Sequence, residues 1–146
     1  MENNILNTAL KNPKFKATYD YGIKTGLILH FDDLFIESMK DIYIDSIDCS
    51  LYDYFKRGDN IGFCLQACNY ISEMFSEFEI YKGLLPAISG TRRSPNGEHA
   101  WLISEGTIYD TSLLLQIDES LSEQLGYNPQ GLINKKTNTK RNFNNL

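Results

Sequence analysis

The sequence has few of the residues that build disulfide frameworks and metal sites: three cysteines and two histidines occur among its 146 residues. Three cysteines cannot all pair within one chain, and they show neither a C-x-x-C pattern nor a zinc-finger spacing to histidine. No glycine-rich loop that could cradle a phosphate is present either. We therefore expect no disulfide framework, no metal site and no cofactor.

Long apolar runs are also missing. No segment approaches the length needed to cross a bilayer. The amino terminus, Met1-Glu2-Asn3-Asn4-Ile5, has neither the basic n-region nor the apolar h-region of a secretory signal. These absences predict a cytoplasmic protein that does not act at a membrane.

Positive charge is scarce outside the tail from 135 to 146. Four of the 14 basic residues lie in that tail, so residues 1–134 carry ten basic side chains against 19 acidic ones. Such an acidic body is a poor partner for the phosphate backbone of a nucleic acid. Apolar residues make up 42% of the chain and aromatic residues 12%, which is enough for a packed core and argues against intrinsic disorder. We expect one domain over residues 1–134, followed by a basic, polar tail in solvent.

The clearest local pattern is an apolar stripe at helical spacing. Its members recur every three or four positions: Cys64, Ala67, Cys68, Ile71, Met74, Phe75 and Phe78. This spacing predicts a helix of about four turns that starts near Cys64 and packs into the core.

Other segments give weaker signals. A helix capped by Asp32 or Asp33 is expected to run through Leu34, Phe35, Met39 and Ile42, because these apolar residues follow a helical period. The remaining expectations are a lead-in of low order or a short helix over 1–16, a strand or hairpin over 19–31, a strand over 80–89 despite Pro86, and a short helix within 113–127 that ends at 128–131.

The segment around His99 predicts a β-hairpin. Two strands, over 98–103 and 108–112, flank a turn centred on Glu105-Gly106. That turn pairs Trp101 with Asp110 and His99 with Ser112, and it makes Asp110 the diagonal neighbour of His99 on one face of the sheet. The sequence thus predicts an imidazole beside a carboxylate, an arrangement that orients the ring and stabilises its charged form.

Cys64 is the candidate nucleophile. The positive end of a helix dipole and its unpaired N–H groups favour the thiolate, and Gly62 permits a tight entry into the helix. Cys68, one turn deeper, and Cys49 are expected to be structural, as is His30. A cysteine thiol at one ring nitrogen of His99, with the Asp110 carboxylate at the other ring nitrogen, is the arrangement used in acyl-transfer catalysis.

These residues resemble the transglutaminase-like superfamily of papain-like folds. Gly62-Phe63-Cys64 matches its G-x-C helix start, His99-Ala100-Trp101 its H-A-W strand, and Ile108-Tyr109-Asp110-Thr111 lies on its D-x-[TS] strand, in that order over roughly residues 58–115. The resemblance is to peptidase-type members in particular. It implies an α+β fold in which a central cysteine-bearing helix packs on an antiparallel sheet, with further N-terminal helices. Cys64 would be the nucleophile, His99 the base and Asp110 the orienting acid.

Three functions stay open at this point. The first is a cysteine-dependent peptidase, amidase or transglutaminase that acts on a peptide or protein amide, and the intact Cys64, His99 and Asp110 favour it. The others are an acyltransferase similar to arylamine N-acetyltransferases, which are usually longer, and a catalytically silent binding or immunity-type module. Arg92 and Arg93 are either ligands for a substrate carboxylate or part of a solvated loop.

Overall fold

The computed structural model describes residues 4–57, 64–91 and 94–133. The predicted helix entry at Gly62-Phe63, the loop pair Arg92-Arg93 and the tail from 135 to 146 lie outside these residues. The helices are α1 (Asn4–Ala9), α2 (Pro13–Thr25), α3 (Asp33–Lys40), α4 (Leu51–Arg57), α5 (Cys64–Met74) and α6 (Ser122–Leu125). The strands are β1 (Ile28–His30), β2 (Tyr43–Ile44), β3 (Cys49–Ser50), β4 (Glu79–Leu84), β5 (Glu98–Ser104), β6 (Thr107–Asp110), β7 (Leu115–Asp118) and β8 (Asn128–Ile133).

The chain is of the α+β class, as predicted. Six of the strands form one antiparallel sheet in the order β1-β7-β6-β5-β4-β8, and β2 pairs with β3 in a separate ribbon. The hairpin β5–β6 therefore occupies the centre of the large sheet, where both of its strands have neighbours.

Both faces of this sheet are covered. Along β5, Ala100 and Leu102 join a core with α3, α4 and α5, whereas Trp101 joins a second core with α1, α2 and α6. The alternation follows from the two-residue period of a strand. Helix α5 packs on β5 and β4 and buries Ile71, and full burial of such a side chain contributes about 1.5–3 kcal/mol.

The N-terminal region differs from the prediction. Of the strand or hairpin expected over 19–31, only Ile28–His30 is a strand, because α2 continues to Thr25. The Asn12 side chain accepts hydrogen bonds from the backbone N–H groups of the first turn, and Pro13 has the fixed φ that suits a helix start. Gly26, at φ 79°, ends the helix. The helix α3, by contrast, is confirmed with Asp32 as its cap, although it ends at Lys40 and does not reach Ile42.

Three other predicted elements are shorter than expected. The strand over 80–89 ends at Leu84, because Pro86, which has no N–H, begins a short 3₁₀ turn. Helix α5 ends at Met74, so Phe75 and Phe78 of the predicted stripe lie beyond it, and the side chain of Met74 is 52% exposed rather than packed in the core. The return strand of the hairpin ends at Asp110 rather than at residue 112.

The C-terminal prediction was partly wrong. Residues 113–127 hold the short helix α6 as expected, but they also hold the strand β7. Residues 128–131, expected to end that helix, belong to β8, where Pro129 is tolerated because β8 is an edge strand of the sheet.

Candidate active site

The hairpin has the predicted register. Leu102 pairs with Tyr109, Ile103 with Ile108 and Ser104 with Thr107. The two turn residues, Glu105 and Gly106, both have positive φ, at 49° and 79°. This is the turn geometry that matches the natural twist of paired strands, and it fixes which side chains share a face.

The hairpin brings His99 and Asp110 into direct contact. The His99 Nε2 atom lies 2.8 Å from Oδ2 of Asp110, and both residues are buried. The pair predicted from the sequence is therefore present, and its charges are shielded from water. The other ring nitrogen, Nδ1, remains available to a further partner.

Asp110 is held by more than the imidazole. The backbone N–H groups of Ser112 and Leu113 donate to its Oδ1, at 3.0 and 3.1 Å, and the Tyr127 hydroxyl donates to its Oδ2 at 2.6 Å. Burial raises the pKa of this carboxyl, but the charge of His99 and these hydrogen bonds outweigh burial and lower the pKa overall. Asp110 therefore stays ionised and fixed in orientation.

Cys64 also interacts with the imidazole. It is the first described residue of α5, it is partly exposed, and its thiol is hydrogen-bonded to His99 and to the backbone of Ala100. Burial raises the pKa of the thiol, but the hydrogen bond and charge of His99 and the bond to Ala100 lower it overall. A thiolate is the form that these contacts stabilise.

His99 lies between Cys64 and Asp110 in this chain of contacts. Burial lowers its pKa, but the charge and hydrogen bond of Asp110, together with the contact to Cys64, raise the pKa from 6.5 to about 10. At neutral pH the ring is thus an imidazolium beside the Asp110 carboxylate, and its charge favours the thiolate form of Cys64. The thiolate is the nucleophile and the imidazolium the acid that acyl transfer requires.

The other two cysteines have different surroundings. Cys68 is completely buried, and burial raises the pKa of its thiol well above 9.0. Cys49 lies in β3 and is half-buried. The second histidine, His30, is exposed and has Nε2 3.5 Å from the Tyr19 hydroxyl.

Sequence reasoning missed one aromatic residue of this site, Tyr127. Tyr127 donates to Asp110 and packs edge-on against Trp101, with ring centroids 5.0 Å apart. Trp101 in turn lies beside His99, at 6.1 Å between ring centroids. The local signal for Tyr127 was only Gly126, whose left-handed conformation at φ 101° ends α6 and redirects the chain. Nothing in the spacing connects Tyr127 with Asp110.

In the ranges that the structure describes, no group of three His, Cys, Asp or Glu side chains could hold a metal ion. No helix of the described part of the chain is long and apolar enough to cross a membrane. No protein-family model, no curated protein and no solved structure matches the chain significantly.

Proposed function

We propose that the chain is a cysteine-dependent acyl-transfer enzyme with a papain-like, transglutaminase-like fold, of the peptidase, amidase or transglutaminase type. The observation that carries the proposal is the buried His99–Asp110 pair with Cys64 hydrogen-bonded to the same imidazole. The placement of Cys64 on a helix that packs against the central antiparallel strands supports the same proposal.

In the first half of the proposed reaction, the Cys64 thiolate attacks the carbonyl carbon of an amide. The tetrahedral oxyanion is stabilised by backbone N–H groups at the start of α5, including that of Cys64. The C–N bond breaks as His99 gives its proton to the departing nitrogen. The products are a free amine and a thioester on Cys64.

In the second half, neutral His99 accepts a proton from an incoming water or amine, which attacks the thioester. The C–S bond breaks, and the Cys64 thiolate and the His99 imidazolium are restored. Asp110 remains a carboxylate throughout, because its hydrogen bonds stabilise that form, and its bond to Nε2 fixes the orientation of the His99 ring.

Acylation by 4-nitrophenyl acetate tests the proposal without a known substrate. We expect a burst of nitrophenolate that is stoichiometric with the protein, an acetyl group mapped by mass spectrometry to Cys64, and continued turnover. Cys64→Ala should abolish the burst, whereas Cys49→Ala should leave it intact. Acetylation spread equally over the thiols, or no acetylation of Cys64, would contradict the proposal and support a catalytically silent module.

A further inference from the structure

A cleft of about 340 Å³ lies against His99. Its wall is formed by Lys82 and Gly83 of β4, Glu98 and His99 of β5, and residues 130–133 of β8. The volume falls within the range of small-molecule and peptide side-chain sites. His99 lines this cleft, whereas Cys64 does not.

The pairing of the strands shows which side chains share this cleft. Lys82 pairs with Ala100 and also with Gly131, so these three residues face the same side of the sheet. Glu98, two residues before Ala100, faces that side as well. Because Ala100 packs in the core beneath α5, Lys82 and Glu98 continue the same sheet face that carries α5.

The cleft is built into the fold. The Ser94 hydroxyl is buried and donates to the carbonyl of Glu98, which fixes the backbone at the start of β5. A β-bulge makes Gly83 pair with Pro129 while Lys82 pairs with Gly131, so Gln130 is an extra residue in β8. Bulges of this kind redirect side chains beside active sites. A Cβ at Gly131 would meet no atom within 4 Å, so the space next to Lys82 is open.

The two charged side chains in the cleft have opposite signs. Lys82 and Glu98 are both exposed, and neither forms an ion pair with another described residue. A ligand with a single charge would satisfy only one of them. A segment that carries one acidic and one basic group matches both, which is the requirement of electrostatic complementarity.

We propose that this cleft binds the leaving-group side of the substrate, and that it takes a peptide segment with a carboxylate for Lys82 and an ammonium or guanidinium group for Glu98. The inference rests on the proposed function. The side is assigned by chemistry, because the departing amine must receive its proton from His99 and the cleft is lined by His99 and not by Cys64. In transfer reactions the same cleft would hold the accepting amine.

The test measures how fast neutral iodoacetamide alkylates Cys64 while short peptides compete for the cleft. Four N-acetylated, C-amidated dipeptides, Glu-Lys, Glu-Gln, Gln-Lys and Gln-Gln, are compared at about 10 mM, where ligands of millimolar affinity are mostly bound. We expect Glu-Lys to slow alkylation about threefold and Gln-Gln to have no effect. Lys82→Gln and Glu98→Gln should each remove most of the protection. The exposed residues Lys24 and Glu123, changed to Gln, are the matched controls and should leave the protection unchanged.

The outcomes separate the two proposals. If Cys64 is alkylated selectively but Glu-Lys protects no better than Gln-Gln, or if protection survives in both cleft variants, the inference about the cleft is overturned while the proposed function stands. If Cys64 is not alkylated in preference to Cys49 and Cys68, the proposed function fails and the inference falls with it.

Discussion

The Tyr127 hydroxyl and His99 Nε2 share one acceptor, the Oδ2 atom of Asp110, at 2.6 and 2.8 Å. His99 and Asp110 lie on the central hairpin and Tyr127 directly precedes β8, so two separate parts of the chain meet at a single buried oxygen. This relationship makes Tyr127 a positioning residue for the acid.

Tyr127→Phe should lower the free energy of unfolding by about 1.5–3 kcal/mol, the contribution of a hydrogen bond to a charged group. The ring remains and keeps its contact with Trp101, so the loss measures the hydroxyl alone. Urea unfolding provides the measurement. Tyr21→Phe, at a side chain that is 55% exposed, is the control and should stay within about 0.5 kcal/mol of the wild type. Equal losses of unfolding free energy in both variants would mean that the hydrogen bond from Tyr127 to Asp110 contributes nothing to stability.

Brief treatment with iodoacetamide near pH 6 should modify Cys64 first, because its thiol has a lowered pKa and is partly exposed. Cys68 should resist, since it is buried and its pKa is raised. His99→Ala should slow the labelling of Cys64 by about tenfold for each unit by which its pKa rises. Peptide mapping by mass spectrometry identifies the thiols. A rate that does not respond to His99→Ala would show that no ion pair exists.

The alkylation rate of Cys64 should rise with pH in two steps. The first step, below the ordinary thiol value of 9.0, follows formation of the thiolate beside the His99 imidazolium. The second lies near pH 10, where His99 loses its proton and leaves a more basic, more nucleophilic thiolate. Stopped-flow alkylation across the pH range records both steps. His99→Ala should show one step only, and a single step in the wild type would argue against the raised pKa of His99.

Asp110→Asn should destabilise the fold by about 3 kcal/mol, since it leaves the buried imidazole without its counter-charge. The pKa of His99 is raised from 6.5 to about 10. Its contribution to the free energy of unfolding is therefore complete below pH 6.5 and is lost as the pH rises through 10. The pKa of Asp110 is lowered from 3.8. Its contribution to the free energy of unfolding is therefore present above pH 3.8 and is lost as the pH falls through its lower pKa in the folded state. The gap in unfolding free energy between wild type and variant should therefore be widest between about pH 4 and 6.5. A gap independent of pH would contradict this assignment.

The sequence predicted the elements that depend on local rules. The hairpin register follows from the turn at Glu105 and Gly106, and the cap of α3 from Asp32. The strand propensity of Tyr19 and Ile23 favours a strand where helix α2 lies, although Asn12-Pro13 and Gly26 carry the cap signals at the two ends of that helix. Gly22 within that helix is explained only by tertiary packing, because a Cβ there would lie 2.4 Å from Ile28.

The candidate site likewise has one part that local sequence patterns predict and one part that they do not. His99 and Asp110 are 11 residues apart on one hairpin, and a local pattern could bring them together. Tyr127 and the cleft residues Lys82 and Gln130 depend on β8 pairing with β4, a contact between segments that are distant in sequence. No periodicity within either strand encodes that pairing, so it could be found only in the folded chain.

Strand β8 has a consequence for how proteins of this kind would be recognised in sequence data. The residues from Cys64 to Asp110 contain the complete Cys-His-Asp signature, but the donor that steadies Asp110 and one wall of the cleft come from residues 127–133. A gene fragment that stops shortly after Ser112 would satisfy any search for the signature and would still encode a polypeptide without these two parts. The smallest unit worth cloning therefore extends through Ile133, well past the last residue of the motif.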